Sequence, residues 1–176
     1  MRKFTIFLTL LILLLAIFCT KVSAKNPNNM DSTLFNQQDE VIQVFNYHDK
    51  TISITQNDVH LMAKIVYAES NCEPFEGKVA VASVILNRLK YPEFPKTVDG
   101  VVKQKGAFSC VRNGTIDVVP DESSYKAVFQ ALQGSDPTEK AVFFYNPRIA
   151  TSQWMKSIGK EKVTTIGNHV FFVAKN

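Results

Sequence analysis

Chemistry for metal ligation or thiol nucleophiles is scarce in this chain. Its 176 residues include only three histidines and three cysteines, with no His-x-x-x-His and no paired-Cys spacing. Zinc needs three or four such ligands brought together, so no metal and no cofactor are expected. Internal repeats and low-complexity tracts are lacking too, which excludes solenoid architectures. Charge of one sign is also missing. The formal net charge is +4, but residues 1–24 carry Arg2, Lys3 and Lys21 and no acid. Without them, 17 Lys+Arg face 16 Asp+Glu, and no basic stripe remains for a nucleic-acid partner.

One long apolar run exists, from Phe4 to Phe18, and it is shorter than the ~20 residues that span a bilayer. Arg2 and Lys3 precede it, and Val22-Ser23-Ala24 supplies the small −3/−1 residues of a signal peptidase site. Residues 1–24 therefore read as a signal peptide, and the protein as exported. Contact with a membrane is expected only through this segment, if it is kept as an anchor. Ile17-Phe18 before Cys19 is too bulky for lipoprotein cleavage.

The remaining 152 residues suffice for one domain with a real core. Lys25 to Glu40 is polar and reads as a linker. Val41–Phe45 and Thr51–Thr55 flank Asn46–Lys50 as a hairpin, so residues 25–57 lead to a domain over 58–176. Thr55-Gln-Asn-Asp58 has the form of a capping box, opening a helix with Val59, Met62, Ala63, Val66 and Ala68 at helical spacing. Pro74 suits the start of a second helix, which Pro92 and Pro95 stop near Lys90. Thr97 caps a short helix through Val98, Val101 and Val102. Residues 106–119 read as loop, with Asn113-Gly114 as its turn. A helix from Asp121 to Gln133 should face Tyr125, Val128, Phe129 and Leu132 inward and stop at Gly134. A strand over Ala141–Tyr145 and a hairpin turning at Gly167-Asn168 complete an α+β, mainly helical fold with a small sheet or hairpins.

The break between the first two helices carries the chemistry. Glu69 sits at the C-terminal end of a core helix, where the dipole and apolar packing both disfavour its charge. A carboxyl pushed upward in this way suits a general acid. Glu73 and Glu76 are expected in the first turn of the next helix, meeting its dipole. Asp136 beside Pro137 reads as a turn residue.

The segment Ala68-Glu-Ser-Asn-Cys-Glu-Pro-Phe-Glu-Gly77, followed by Lys78-Val-Ala-Val-Ala-Ser-Val-Ile-Leu-Asn-Arg88, resembles the catalytic core of the spore cortex-lytic cell wall hydrolases of the SleB type. The likeness continues through Tyr91–Val102, Gly106-Ala-Phe-Ser109, Ser135-Asp-Pro-Thr138, Phe144-Tyr-Asn-Pro147, Trp154 and Ile166-Gly-Asn-His-Val-Phe171, spanning roughly residues 58 to 172. It implies a lysozyme-like, lytic transglycosylase-like core cutting the glycan strands of peptidoglycan. Glu69 falls on the family's catalytic position, as the single acid/base. The implied location is the cell wall, the spore cortex or the outer face of the membrane. Cortex or vegetative wall, and hydrolysis or transglycosylation, are alternatives left open, as is a regulatory partner protein.

Ser70 departs from the family's usual Ala, and its role in orienting the acid stays open; Cys72 departs from the usual small residue. Tyr67, Phe108, Phe144, Tyr145, Asn146 and Trp154 are candidates to hold sugar, against the plain alternative that aromatics are core. Among these, Phe108, Tyr145, Asn146 and Trp154 join Ser70 as expected substrate contacts. Asn87 and Arg88 are expected to tie down neighbouring loops. Cys72 and Cys110 are open to a disulfide, which would close a 38-residue loop and contribute about 3–4 kcal/mol, or to remaining free thiols. Two other classes compete: a glycan-binding module without catalysis, and a cysteine peptidase of stem peptides pairing Cys72 or Cys110 with His48, His60 or His169.

Overall fold

Thr55 ends one element and starts the next. Its hydroxyl accepts from Asp58 N at 3.2 Å while Asp58 Oδ2 accepts from Thr55 N at 3.0 Å, a reciprocal box that satisfies two orphan donors. The computed structural model describes residues 40–47 and 50–175. The signal-peptide reading, the linker up to residue 39, His48 and the hairpin tip lie outside them.

Strands β1 (Val41–Tyr47) and β2 (Lys50–Thr55) form an antiparallel hairpin. Ile52 and Ile54 of β2 are buried in the main core, so the hairpin is built into the fold and not merely an approach to it. Helix α1 (Gln56–Ser70) follows, burying Val59, Met62, Ala63, Ile65 and Val66. Ala68, expected on this stripe, is exposed, because the last turn runs out past the core.

Helix α2 (Phe75–Lys90) is the central rod. Every residue from Gly77 to Leu86 is buried, as the apolar run around its whole circumference requires. Buried aliphatic side chains contribute about 1.5–3 kcal/mol each, which makes α2 the main anchor of the core. Its one buried lysine, Lys78, reaches Asp121 at 3.4 Å and Ser123 at 3.2 Å. Helix α3 (Val98–Lys103) is capped by Thr97, and α4 (Glu122–Leu132) by Asp121. Helix α4 packs on both α1 and α2 through Ala127, Val128 and Ala131. Phe129 points outward instead, 44% exposed, since small residues fill the close helix contact in its place.

The C-terminal part is a three-stranded antiparallel sheet in the order β3 (Phe143–Tyr145), β5 (His169–Ala174), β4 (Lys160–Ile166). A short helix α5 (Gln153–Ser157), not expected from the sequence, precedes β4. The β4–β5 register slips between Glu161 and Thr164, where Lys162 has φ 50°. Gly167, at φ 58°, makes the hairpin turn.

Candidate active site

Glu69 is the penultimate residue of α1, half-buried, and its neighbours come from distant chain segments. Its Oε1 accepts from Ser109 Oγ at 3.2 Å and from the Cys110 backbone N–H at 3.3 Å. Both donors belong to the irregular stretch after α3. That stretch turns at Gly106 (φ 75°) and is pinned by Phe108, a buried ring. Two donors fixed to one oxygen set the orientation of the carboxyl group.

Arg88 lies behind this cluster. It is 3% exposed, donates from Nε to Val142 O at 2.8 Å, and its guanidinium sits 5.0, 5.2 and 5.9 Å from the rings of Phe108, Phe94 and Phe143. Burial pulls the guanidinium down to about 10, while the charge of Glu69 acts in the other direction. The expected loop-tying role of Arg88 is what the geometry shows, with electrostatic coupling to Glu69 added. Asn87, one residue earlier, holds Asp136 Oδ2 at 2.9 Å and Ala141 O at 3.1 Å.

The Cys110 thiol is pushed up to about 12, first by burial and then by the charge of Glu69 and a hydrogen bond with it. A thiol so held is a poor nucleophile, which counts against the peptidase reading. Cys72 is exposed, and both cysteines are free, so the disulfide is not formed. Cys110 is turned to Glu69 instead. His60 hydrogen-bonds Tyr125.

His169 closes the far side. Its buried ring meets Phe144 edge-on at 5.3 Å, and Nδ1 lies 3.8 Å from Glu73 Oε1. Burial lowers its proton affinity, opposed by the charges of Glu73 and then Glu69. Glu73 itself is not in the first turn of α2, because Pro74 is the N-cap and Glu73 precedes it. Burial opposes its ionisation, but bonds from Asn168 and the nearby His169 outweigh that and hold the carboxyl below its ordinary value.

The expected sugar contacts divide. Ser70 is 1% exposed and donates to Val66 O, a bond within its own helix, so it neither orients Glu69 nor faces solvent. Phe108 is 4% exposed, with Arg88 over its ring and Phe144 at 6.3 Å, and supports the site from inside. Asn146 accepts from Arg148 N at 3.0 Å and shapes a turn. Strand alternation sends Phe144 to the face carrying Phe171 and His169, and Phe143 and Tyr145 to the face carrying Phe172. Trp154, 47% exposed and 5.2 Å from Phe143, therefore joins Tyr145 on the side away from His169. There it lines a groove of about 340 Å³ with Tyr91, Phe94 and Phe143.

Sequence reasoning missed the Ser109–Cys110 cradle and the Glu73–Asn168 clamp. The available signal was the resemblance through Gly106–Ser109 for the cradle, and through Ala68–Gly77 and Ile166–Phe171 for the clamp, which carries no roles for those atoms.

Comparisons with known proteins agree with this architecture. A family model described as Cell Wall Hydrolase matches residues 72–172, beginning three residues after Glu69. The spore cortex-lytic enzyme of Bacillus cereus is 46% identical over 117 residues, which are 66% of this chain and 44% of that enzyme. That of Bacillus subtilis is 44% identical over 117 residues, 66% of this chain and 38% of its own length. The matched part thus spans less than half of the curated relatives. The crystal structure of the catalytic domain of the Bacillus cereus SleB protein superposes with a TM-score of 0.60 at 46% identity, covering 68% of this chain and 91% of that one. The catalytic domain of the germination-specific lytic transglycosylase SleB from Bacillus anthracis gives 0.62 at 44% identity, covering 68% and 96%. The α+β, mainly helical fold with its lysozyme-like core is therefore the expected one. On a family match covering more than half of its length, this chain belongs to the cell wall hydrolase family.

Proposed function

We propose that this protein is an exported enzyme that cleaves the glycan strands of peptidoglycan in the spore cortex, as a lytic transglycosylase with Glu69 as its single acid/base. The observation that carries the reading is the cradle at Glu69, where Ser109 Oγ and Cys110 N fix Oε1. With Oε1 held, Oε2 is the oxygen that delivers a proton to the leaving glycosidic oxygen as positive charge develops on the sugar ring. The carboxylate then takes the proton from the muramic C6 hydroxyl, which closes on the anomeric carbon as a 1,6-anhydro product. No second carboxylate is needed. The nearest in sequence, Glu73, spends both oxygens on Asn168, and Asp136 spends both on Thr138, Asn87 and Lys140. The names of the relatives, spore cortex-lytic enzymes, support the choice of cortex.

Digestion of purified cortex in ¹⁸O-water with Glu69→Gln as control tests the reading. Glu69→Gln should fold and lose activity by roughly 10²–10⁴-fold or more. The parent should release fragments ending in anhydro-muramic acid without solvent oxygen. Near-normal release by the variant, or ¹⁸O at the new ends, overturns the mechanism.

A further inference from the structure

A cavity of about 590 Å³ shares no lining residue with the Glu69 cluster. The apolar Leu86, Ala131 and Val173 line it together with three lysines, Lys90, Lys140 and Lys162. The size suits a small-molecule or peptide segment.

The backbone around it is unusual. Among the described residues four non-glycines have positive φ, and three of them, Glu139 (55°), Lys140 (70°) and Lys162 (50°), lie at or beside this cavity. A long side chain in the left-handed region costs on the order of 1 kcal/mol, which folds retain where the geometry serves a purpose. Lys162 also occupies the β4 register slip, and bulges of this kind re-aim a side chain. Lys140 is fixed by its N–H, which donates to Asp136 Oδ2 at 3.0 Å.

Two of the three charges are not spent internally. Neither Lys140 nor Lys162 enters a salt bridge among the described residues, and Lys90 lies 4.8 Å above the Phe45 ring. Of the two acids lining the cavity, Asp136 is saturated by Thr138, Asn87 and Lys140, which leaves Glu161 as the one available anion. Lysines and apolar side chains in one lining suit a ligand with carboxylates and small apolar side chains.

We infer that this cavity is a second substrate subsite, which binds the carboxylate-bearing peptide stem of peptidoglycan while the Glu69 cluster engages the glycan. The inference rests on the proposed peptidoglycan substrate. The stem carries carboxylates between terminal alanine methyl groups, and the one ammonium left when its first alanine is acylated, as in peptidoglycan, matches Glu161. Helix α2 links the two places, since Arg88 turns to the rings beside Glu69 while Asn87 turns to the cavity.

The test is an NMR titration of the full chain with the N-acetylated tetrapeptide L-Ala-γ-D-Glu-diaminopimelate-D-Ala, with inorganic phosphate as comparator. The peptide should shift the amides of residues 134–140 and 160–162 and leave those of 69, 109 and 110 in place. Lys140→Gln with Lys162→Gln should raise its Kd about tenfold or more, with an unchanged amide spectrum elsewhere. Lys140→Gly should also weaken the peptide while raising Tm, because glycine relieves the positive φ. Absent shifts, shifts confined to the Glu69 cluster, or equal affinity in the double variant overturn the subsite. Phosphate binding at least as tightly as the peptide overturns the peptide assignment. Because the readout is binding and not turnover, failure here is distinct from failure of the Glu69→Gln assay.

Discussion

Glu73 and Asn168, 95 residues apart, are bound twice: Asn168 N donates to Glu73 Oε2 at 2.8 Å and Asn168 Nδ2 to Oε1 at 3.1 Å. The clamp joins the chain break between α1 and α2 to the β4–β5 turn. It thereby sets His169 beside the acid's helix end. Gly167 makes room for it, because a Cβ there would lie 2.0 Å from Glu73 Oε2.

Glu73→Gln and Gly167→Ala should therefore each destabilise the fold by about 1–3 kcal/mol, one by losing a charged acceptor and the other by steric conflict at positive φ. Urea denaturation measures both. In a double-mutant cycle, Glu73→Gln and Asn168→Ala should be strongly non-additive. Additive losses would show that the clamp is not one unit.

Acid should lower the stability of the fold in two pH windows. The proton affinity of His169 in the fold lies below its ordinary value of 6.5, so the unfolded chain binds that proton more readily. Its contribution is complete above pH 6.5 and is lost as the pH falls below it. Glu73 is held below its ordinary 4.5, so its contribution is present above 4.5 and is lost as the pH falls through the folded value. Thermal melts across pH should lose the upper window in His169→Gln and the lower one in Glu73→Gln.

Arg88→Lys should cost about 1–3 kcal/mol, because lysine cannot both donate to Val142 O and lie flat among Phe94, Phe108 and Phe143. Loosening Phe108 should also displace Ser109 and Cys110 from Glu69, lowering kcat more than it raises KM. A variant that melts and turns over like the parent would deny Arg88 that supporting role.

Alkylation of native protein at pH 8, followed by mass spectrometry, should label Cys72 first, since it is exposed. Cys110, at about 12 against an ordinary 9.0, holds roughly a thousandfold less thiolate and should label only on unfolding. Absence of any label in oxidised native protein would show a disulfide after all.

Local features of the sequence determined the helices that carry Glu69 and the turn that faces them. Thr55 with Asp58, Pro74, the apolar run of α2 and Gly167-Asn168 each act within a few residues, so periodicity and capping reveal them directly. The family motifs likewise placed Glu69 at a helix end. Only the tertiary structure decided what surrounds it. Ser109 and Cys110 arrive from about 40 residues away and Asn168 meets Glu73 across 95, along irregular loops whose path follows no period. The same holds for the aromatics: strand alternation, fixed by pairing with β5, sent Phe144 towards His169 and Tyr145 to the opposite face. Burial turned Phe108 and Ser70 into internal supports, because a side chain's exposure depends on what packs over it and not on its neighbours in sequence.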